Sequence, residues 1–194
     1  MKKISYLGEA VLQSYKSIGY EIDKFLSPGL GVSDVSNLLE KENIELPTYL
    51  KDFYQWKNGT DFSKNPLLKE VYFLPLCYYY LSLEKAIRIY KELSLLNSWE
   101  SSWFPILSDE AGDFFVLDID ENSLTQGNIL YTSSEEGTFR AFNDLVQMLL
   151  TIEKGINNSI VSLSYEKFFV LDFKEWGDWG RLLNPGMEYW DLFQ

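Results

Sequence analysis

Between residues 103 and 142, short runs of Phe, Ile, Leu, Val and Tyr alternate with turn-forming residues, and this rhythm constrains the fold more than any other feature of the chain. Trp103 to Leu107, Asp113 to Ile119, Asn128 to Thr132 and Thr138 to Phe142 each have the length of a strand, and turn residues separate them, which describes an antiparallel meander. The sequence before it has a different period. Val11, Tyr15, Ile18, Ile22 and Phe25 recur at alternating steps of four and three, which predicts a helix over 9–26 stopped by Pro28-Gly29. Ser33 can cap a second helix carrying Val35, Leu38 and Leu39 on one face. A third starts at Pro47, where a missing amide proton does no harm, and carries Leu50, Phe53 and Tyr54. Asn58-Gly59 closes it, since both residues tolerate the left-handed conformation.

Residues 71–81 have the composition and length of one buried strand. Ser82 then caps a helix with Leu83, Ala86, Ile87, Tyr90 and Leu93 on its face, and Glu84 stands four residues before Arg88 for an exposed ion pair. After the meander, Asn143 opens a helix carrying Leu145, Val146, Leu149 and Leu150, ended by Gly155. Residues 156–194 form an aromatic-rich segment of open secondary structure, with a turn at Asn184-Pro185-Gly186. Helices, then strands, then a helix is the pattern of an α+β domain with helices packed against an antiparallel sheet. The regular alternation of a doubly wound parallel sheet is absent.

The 194 residues fit one domain, residues 1–194, which at this size buries roughly 70% of the surface its unfolded chain would expose. Aromatic residues make up 16% of the chain, so Trp, Tyr and Phe dominate the packing. The net charge of −12 repels phosphate backbones and anionic lipid headgroups, so neither nucleic acid nor a membrane surface is the expected partner. A basic protein is the natural complement. A single cysteine, Cys77, cannot form an internal disulfide and lies in an apolar run, which suggests a buried thiol in a reducing compartment. Two lysines at the start meet Glu9 before any apolar stretch of signal-peptide length, so the expected location is the cytoplasm.

Histidine is missing altogether, which removes Ser-His-Asp and Cys-His arrangements and the imidazole metal ligands. No glycine-rich phosphate loop occurs, so no cofactor is expected. Asp118-Ile119-Asp120-Glu121-Asn122 resembles the start of a calcium loop, but Ser123 stands where glycine is required and Ile129 where a bidentate glutamate is required. Asp109, Glu110 and Asp113 could be imagined as acid-base carboxylates, yet all three fall in one turn around Ala111-Gly112. The six tryptophans mostly have apolar neighbours, which suits a core better than a stacking platform.

The order of these motifs is itself informative. Ser33-Asp34-Val35 through Leu38-Leu39-Glu40, Leu46-Pro47-Thr48-Tyr49-Leu50-Lys51-Asp52-Phe53 and Asn58-Gly59 resemble the opening of the SUKH superfamily of Smi/Knr-like proteins. Trp103-Phe104-Pro105-Ile106-Leu107-Ser108-Asp109 followed by Gly112-Asp113-Phe114-Phe115-Val116-Leu117-Asp118 is similar to that family's central hairpin. Phe142 to Leu150 resembles its next helix, and Leu183-Asn184-Pro185-Gly186 with Tyr189-Trp190 is similar to the end of several bacterial members. Residues 1–30 correspond only to an added helical extension, and Ala111 interrupts a turn often richer in glycine.

The resemblance implies a SUKH-like α+β fold without catalytic residues. For most bacterial members it implies an immunity protein that neutralises a toxin by direct binding, and for fungal relatives a regulatory adaptor of cell-wall synthesis. A carbohydrate-active enzyme is a third option, requiring Asp113 and Asp118 to converge in an aromatic cleft. The expected partner is a basic toxin domain. Asp109, Glu110, Asp113, Asp118, Asp120 and Glu121, with Glu135 and Glu136 from the next turn, are the candidates for an acidic recognition surface. A chain with 29 carboxylates also places some in every turn for solubility alone.

Overall fold

The computed structural model describes residues 2–109 and 111–194. Helix α1 spans Lys2–Ser17 and is followed by a 3-10 turn at Ile22–Phe25 and strand β1 at Leu26–Pro28. Helices α2 (Val32–Glu42) and α3 (Thr48–Trp56) lead into β2 (Lys57–Thr60), which pairs antiparallel with β1. Strands β3 (Tyr72–Leu74) and β4 (Tyr78–Tyr80) precede α4 (Leu83–Leu93). The meander follows as β5 (Trp103–Ser108), β6 (Phe114–Asp118), β7 (Ile129–Ser133) and β8 (Gly137–Phe142). Helix α5 (Leu145–Asn157), the hairpin β9 (Val161–Leu163) and β10 (Phe169–Leu171), and helix α6 (Phe173–Leu183) complete an α+β fold, with a 3-10 turn at Glu188–Leu192.

The main sheet has six strands in the order β3-β4-β5-β6-β7-β8. In the register, Phe115 lies opposite Tyr131 and Leu117 opposite Ile129. Directly opposed residues point the same way, so these four side chains share one face, and all four are buried. They belong to the same hydrophobic core as Met148, Leu149 and Ile152 of α5, all three wholly buried. Helix α1 lies against α5 and α3, burying Val11 and Tyr15 completely. The Tyr15 hydroxyl donates to the Phe73 carbonyl at 2.6 Å, which ties α1 to the sheet edge. Helix α3 contributes Leu50, Phe53 and Tyr54, all wholly buried, as its spacing predicts.

Several expectations change. The first helix ends at Ser17, not near residue 26, because Gly19 turns left-handed (φ 80°) and the Tyr20 amide bonds back to the Tyr15 carbonyl at 2.9 Å. Ile22 still reaches the core from the 3-10 turn, which is why the apolar period runs through the break. The apolar run at 71–81 is a hairpin and not one strand: Pro75 lacks an amide proton, and Leu76 and Cys77 both take positive φ (108° and 77°). Cys77 is therefore exposed at a turn, not buried. Gly155 lies inside α5 and does not end it; an added Cβ would stand 2.9 Å from Trp176, so the glycine serves close packing.

Helix α3 stops at Trp56, before Asn58-Gly59, which belongs to β2. Gly59 does hold a left-handed conformation (φ 72°), and a Cβ there would fall 2.2 Å from the Ser82 amide nitrogen. Asn58 fastens the same junction. Its side-chain oxygen accepts from the Leu83 amide at 2.8 Å, and its nitrogen donates to Glu84 at 3.0 Å, so Glu84 serves this contact where a pairing with Arg88 was expected.

Candidate partner-binding site

The acidic candidates divide between the two ends of β6. At the β5–β6 end, Asp109 shapes the turn. One of its carboxylate oxygens accepts from the amides of Ala111, Gly112 and Asp113, each at 2.9 Å. Such a nest of donors fixes the carboxylate and leaves its second oxygen for outside contacts. Asp113 is half-buried and accepts from the Tyr131 hydroxyl at 2.8 Å. Glu110 lies outside the described residues. Strand β7 runs back to this same end, so the next turn sets Glu135 and Glu136 on it, both exposed.

At the opposite end Asp118 departs from its expected role as a surface group. It is 1% exposed, and its carboxylate organises the β6–β7 loop from beneath. The hydroxyls of Ser123 and Thr125 donate to one oxygen, each at 2.5 Å, and the Asp120 amide donates to the other at 3.2 Å. Burial alone would raise its pKa, but these hydrogen bonds outweigh that and hold it below the ordinary value. A Ser and a Thr five and seven residues downstream convert a candidate recognition carboxylate into a structural one. Asp120 and Glu121 remain exposed on that loop.

With strands rising about 3.3 Å per residue, Asp113 and Asp118 are roughly 16 Å apart, well beyond the span of about 5 to 10 Å used by glycosidase carboxylate pairs. They do not converge. No tryptophan is fully exposed among the described residues: Trp176 and Trp190 are wholly buried and the other four are half-buried.

Beside the Asp113 and Glu136 end lies a cavity of about 280 Å³ into which Tyr78, Tyr131 and Tyr189 face. Burial pushes all three hydroxyls well above the ordinary tyrosine range, reinforced at Tyr131 by its bond to Asp113 and at Tyr189 by neighbouring Tyr131 and Glu136. The phenols are therefore neutral, and Asp113 and Glu136 supply the negative charge. The three rings come from β4, β7 and the closing 3-10 turn, so no local motif marks them; the one clue is the run Tyr78-Tyr79-Tyr80. At the other end of the sheet, a wider cleft of about 610 Å³ separates the start of α3 from the β6–β7 loop, with Glu45, Tyr49 and Glu121 on its walls.

Among the described residues, no group of three or more Cys, Asp or Glu side chains is placed to hold a metal ion, and no helix is long and apolar enough to cross a membrane. Comparison with known protein families matches residues 30–151 to the SMI1 / KNR4 family (SUKH-1). No curated protein matches the chain with significance. The match covers well over half of the sequence and includes α2, α3, the whole six-stranded sheet and the first half of α5. The chain belongs to the SMI1 / KNR4 (SUKH-1) family.

Proposed function

We propose that this protein is an immunity-type inhibitor that neutralises a basic toxin domain in the cytoplasm by occupying its surface, without catalysis, cofactor, nucleic acid or membrane. Family membership is the observation that carries this reading. Charge supports it. A net charge of −12 is complementary to a cationic toxin, as a nuclease would be, and steers such a partner inward. The proposed recognition surface comprises Asp109, Asp113, Glu135 and Glu136 at one end of the sheet, with Asp120 and Glu121 as a separate acidic flank. Glu110, next to Asp109 in the sequence, is proposed with the first group. Asp118 contributes by holding the loop that presents Asp120.

The experiment is capture from the native host with the tagged full chain, followed by a protection assay. A stoichiometric basic polypeptide that is toxic alone and harmless with the inhibitor is the expected result. Capture of a constitutive host protein instead would replace this reading with the adaptor role, and measurable turnover of any substrate by the purified chain would end it.

A further inference from the structure

The geometry points to the tyrosine-floored cavity beside Asp113 and Glu136 as a socket for one arginine side chain of the protein partner. This rests on the inhibitor reading and adds which chemical group on the partner is held. Size is the first argument. At about 280 Å³ the cavity falls below the roughly 300 to 1,000 Å³ of small-molecule and cofactor sites, but it can admit a single long side chain.

The lining is the second. Tyr78, Tyr131 and Tyr189 are only 7%, 5% and 4% exposed, with the rings of Tyr131 and Tyr189 tilted at 5.1 Å between centroids. Tyr131 gives its proton to Asp113 and is hydrogen-bonded by Tyr78 and Ser133, so Tyr189 and Glu136 are the groups left to accept from a partner. The Tyr189 ring is buried, and its neighbours in the cavity include Tyr131 and Glu136. A phenol oxygen lining an open cavity can accept from an incoming N–H donor. Neither lysine nor arginine lines the cavity among the described residues, so the carboxylate of Glu136 on its rim faces no competing cation there.

The rim is the third. Leu76, held at φ 108°, and Phe173, 61% exposed, form an apolar wall along which the methylene stem of a long cationic side chain can lie. Arginine suits this arrangement better than lysine. Its planar guanidinium stacks on aromatic faces while donating in several directions at once, here to the Tyr189 oxygen and the Glu136 carboxylate.

The test uses the full chain with ¹³C-labelled tyrosine and two probes, the peptide Gly-Arg-Gly and its neutral near-isostere Gly-citrulline-Gly, followed by NMR. Saturable shifts at Tyr78, Tyr131 and Tyr189 with the arginine peptide, absent with citrulline, are expected, and Glu136→Gln should weaken binding about threefold to fivefold with unchanged melting. No saturable shift at these rings, or equal binding of citrulline, overturns the socket. A toxin captured from the host whose affinity is unaffected by Glu136→Gln and by Tyr189→Phe also overturns it while leaving the inhibitor reading intact. Arginine binding by a chain that captures no toxin does the reverse.

Discussion

The Asp118 carboxylate has both oxygens engaged beneath the β6–β7 loop, so its ionisation is coupled to folding. Folding lowers its pKa, so it adds stability that is complete above the ordinary value of 3.8 and is lost as pH falls through the lowered value. Asp118→Asn should therefore flatten the acid side of the melting profile around and below the ordinary value of 3.8, and cost about 1 to 2 kcal/mol at neutral pH. Thermal melts across that range decide the matter, and an acid limb as steep as the parent's would contradict it. Gly59 poses a steric question instead of an electrostatic one. Its backbone is left-handed and a Cβ would collide with the Leu81–Ser82 backbone, so Gly59→Val should lose about 3 kcal/mol in chemical denaturation. An unchanged midpoint would mean that β2 and α4 can separate freely.

At the scale of elements, α6 and the closing turn depend on two glycines. A Cβ on Gly180 would lie 1.8 Å from the Trp190 ring, and one on Gly177 would lie 2.5 Å from the Phe193 Cβ. Gly180→Ala should thus expel Trp190 from its buried site, and loss of its near-UV circular dichroism with retained far-UV signal is the expected signature. The meander was legible in the sequence to within a residue at each strand end, because apolar runs bounded by Asp109 to Gly112 and Ser133 to Glu136 leave few alternatives. Helix α1 was legible in kind but misplaced, since Ile22 keeps the helical period after Gly19 has broken the helix. The tail was hardest. Short strands such as Phe169–Leu171 are fixed by distant partners, here Tyr15 and Tyr20 against Phe169, which local pattern does not contain. The site followed the same division: charged turns could be seen in the sequence, whereas the burial of Asp118 and the convergence of Tyr78, Tyr131 and Tyr189 arise only from tertiary packing.

For the whole molecule, the surplus of 29 carboxylates over 17 basic residues acts as one long-range field. Association with a cationic partner should slow about tenfold or more between about 10 mM and about 150 mM salt, as the Debye length shrinks from roughly 30 to 8 Å. Stopped-flow rates that ignore salt would show that encounter is governed by shape alone. The packing of α1 on α5 acts on a different timescale. During synthesis α3 and Phe73 can shelter part of α1 early, but the α5 surface follows more than a hundred residues after α1, so the face that α5 covers stays open until residues 145–157 have left the ribosome. The face of α1 that α5 covers is therefore offered to other apolar surfaces for the whole interval needed to close that long loop, the window in which a newly made molecule is most open to aggregation.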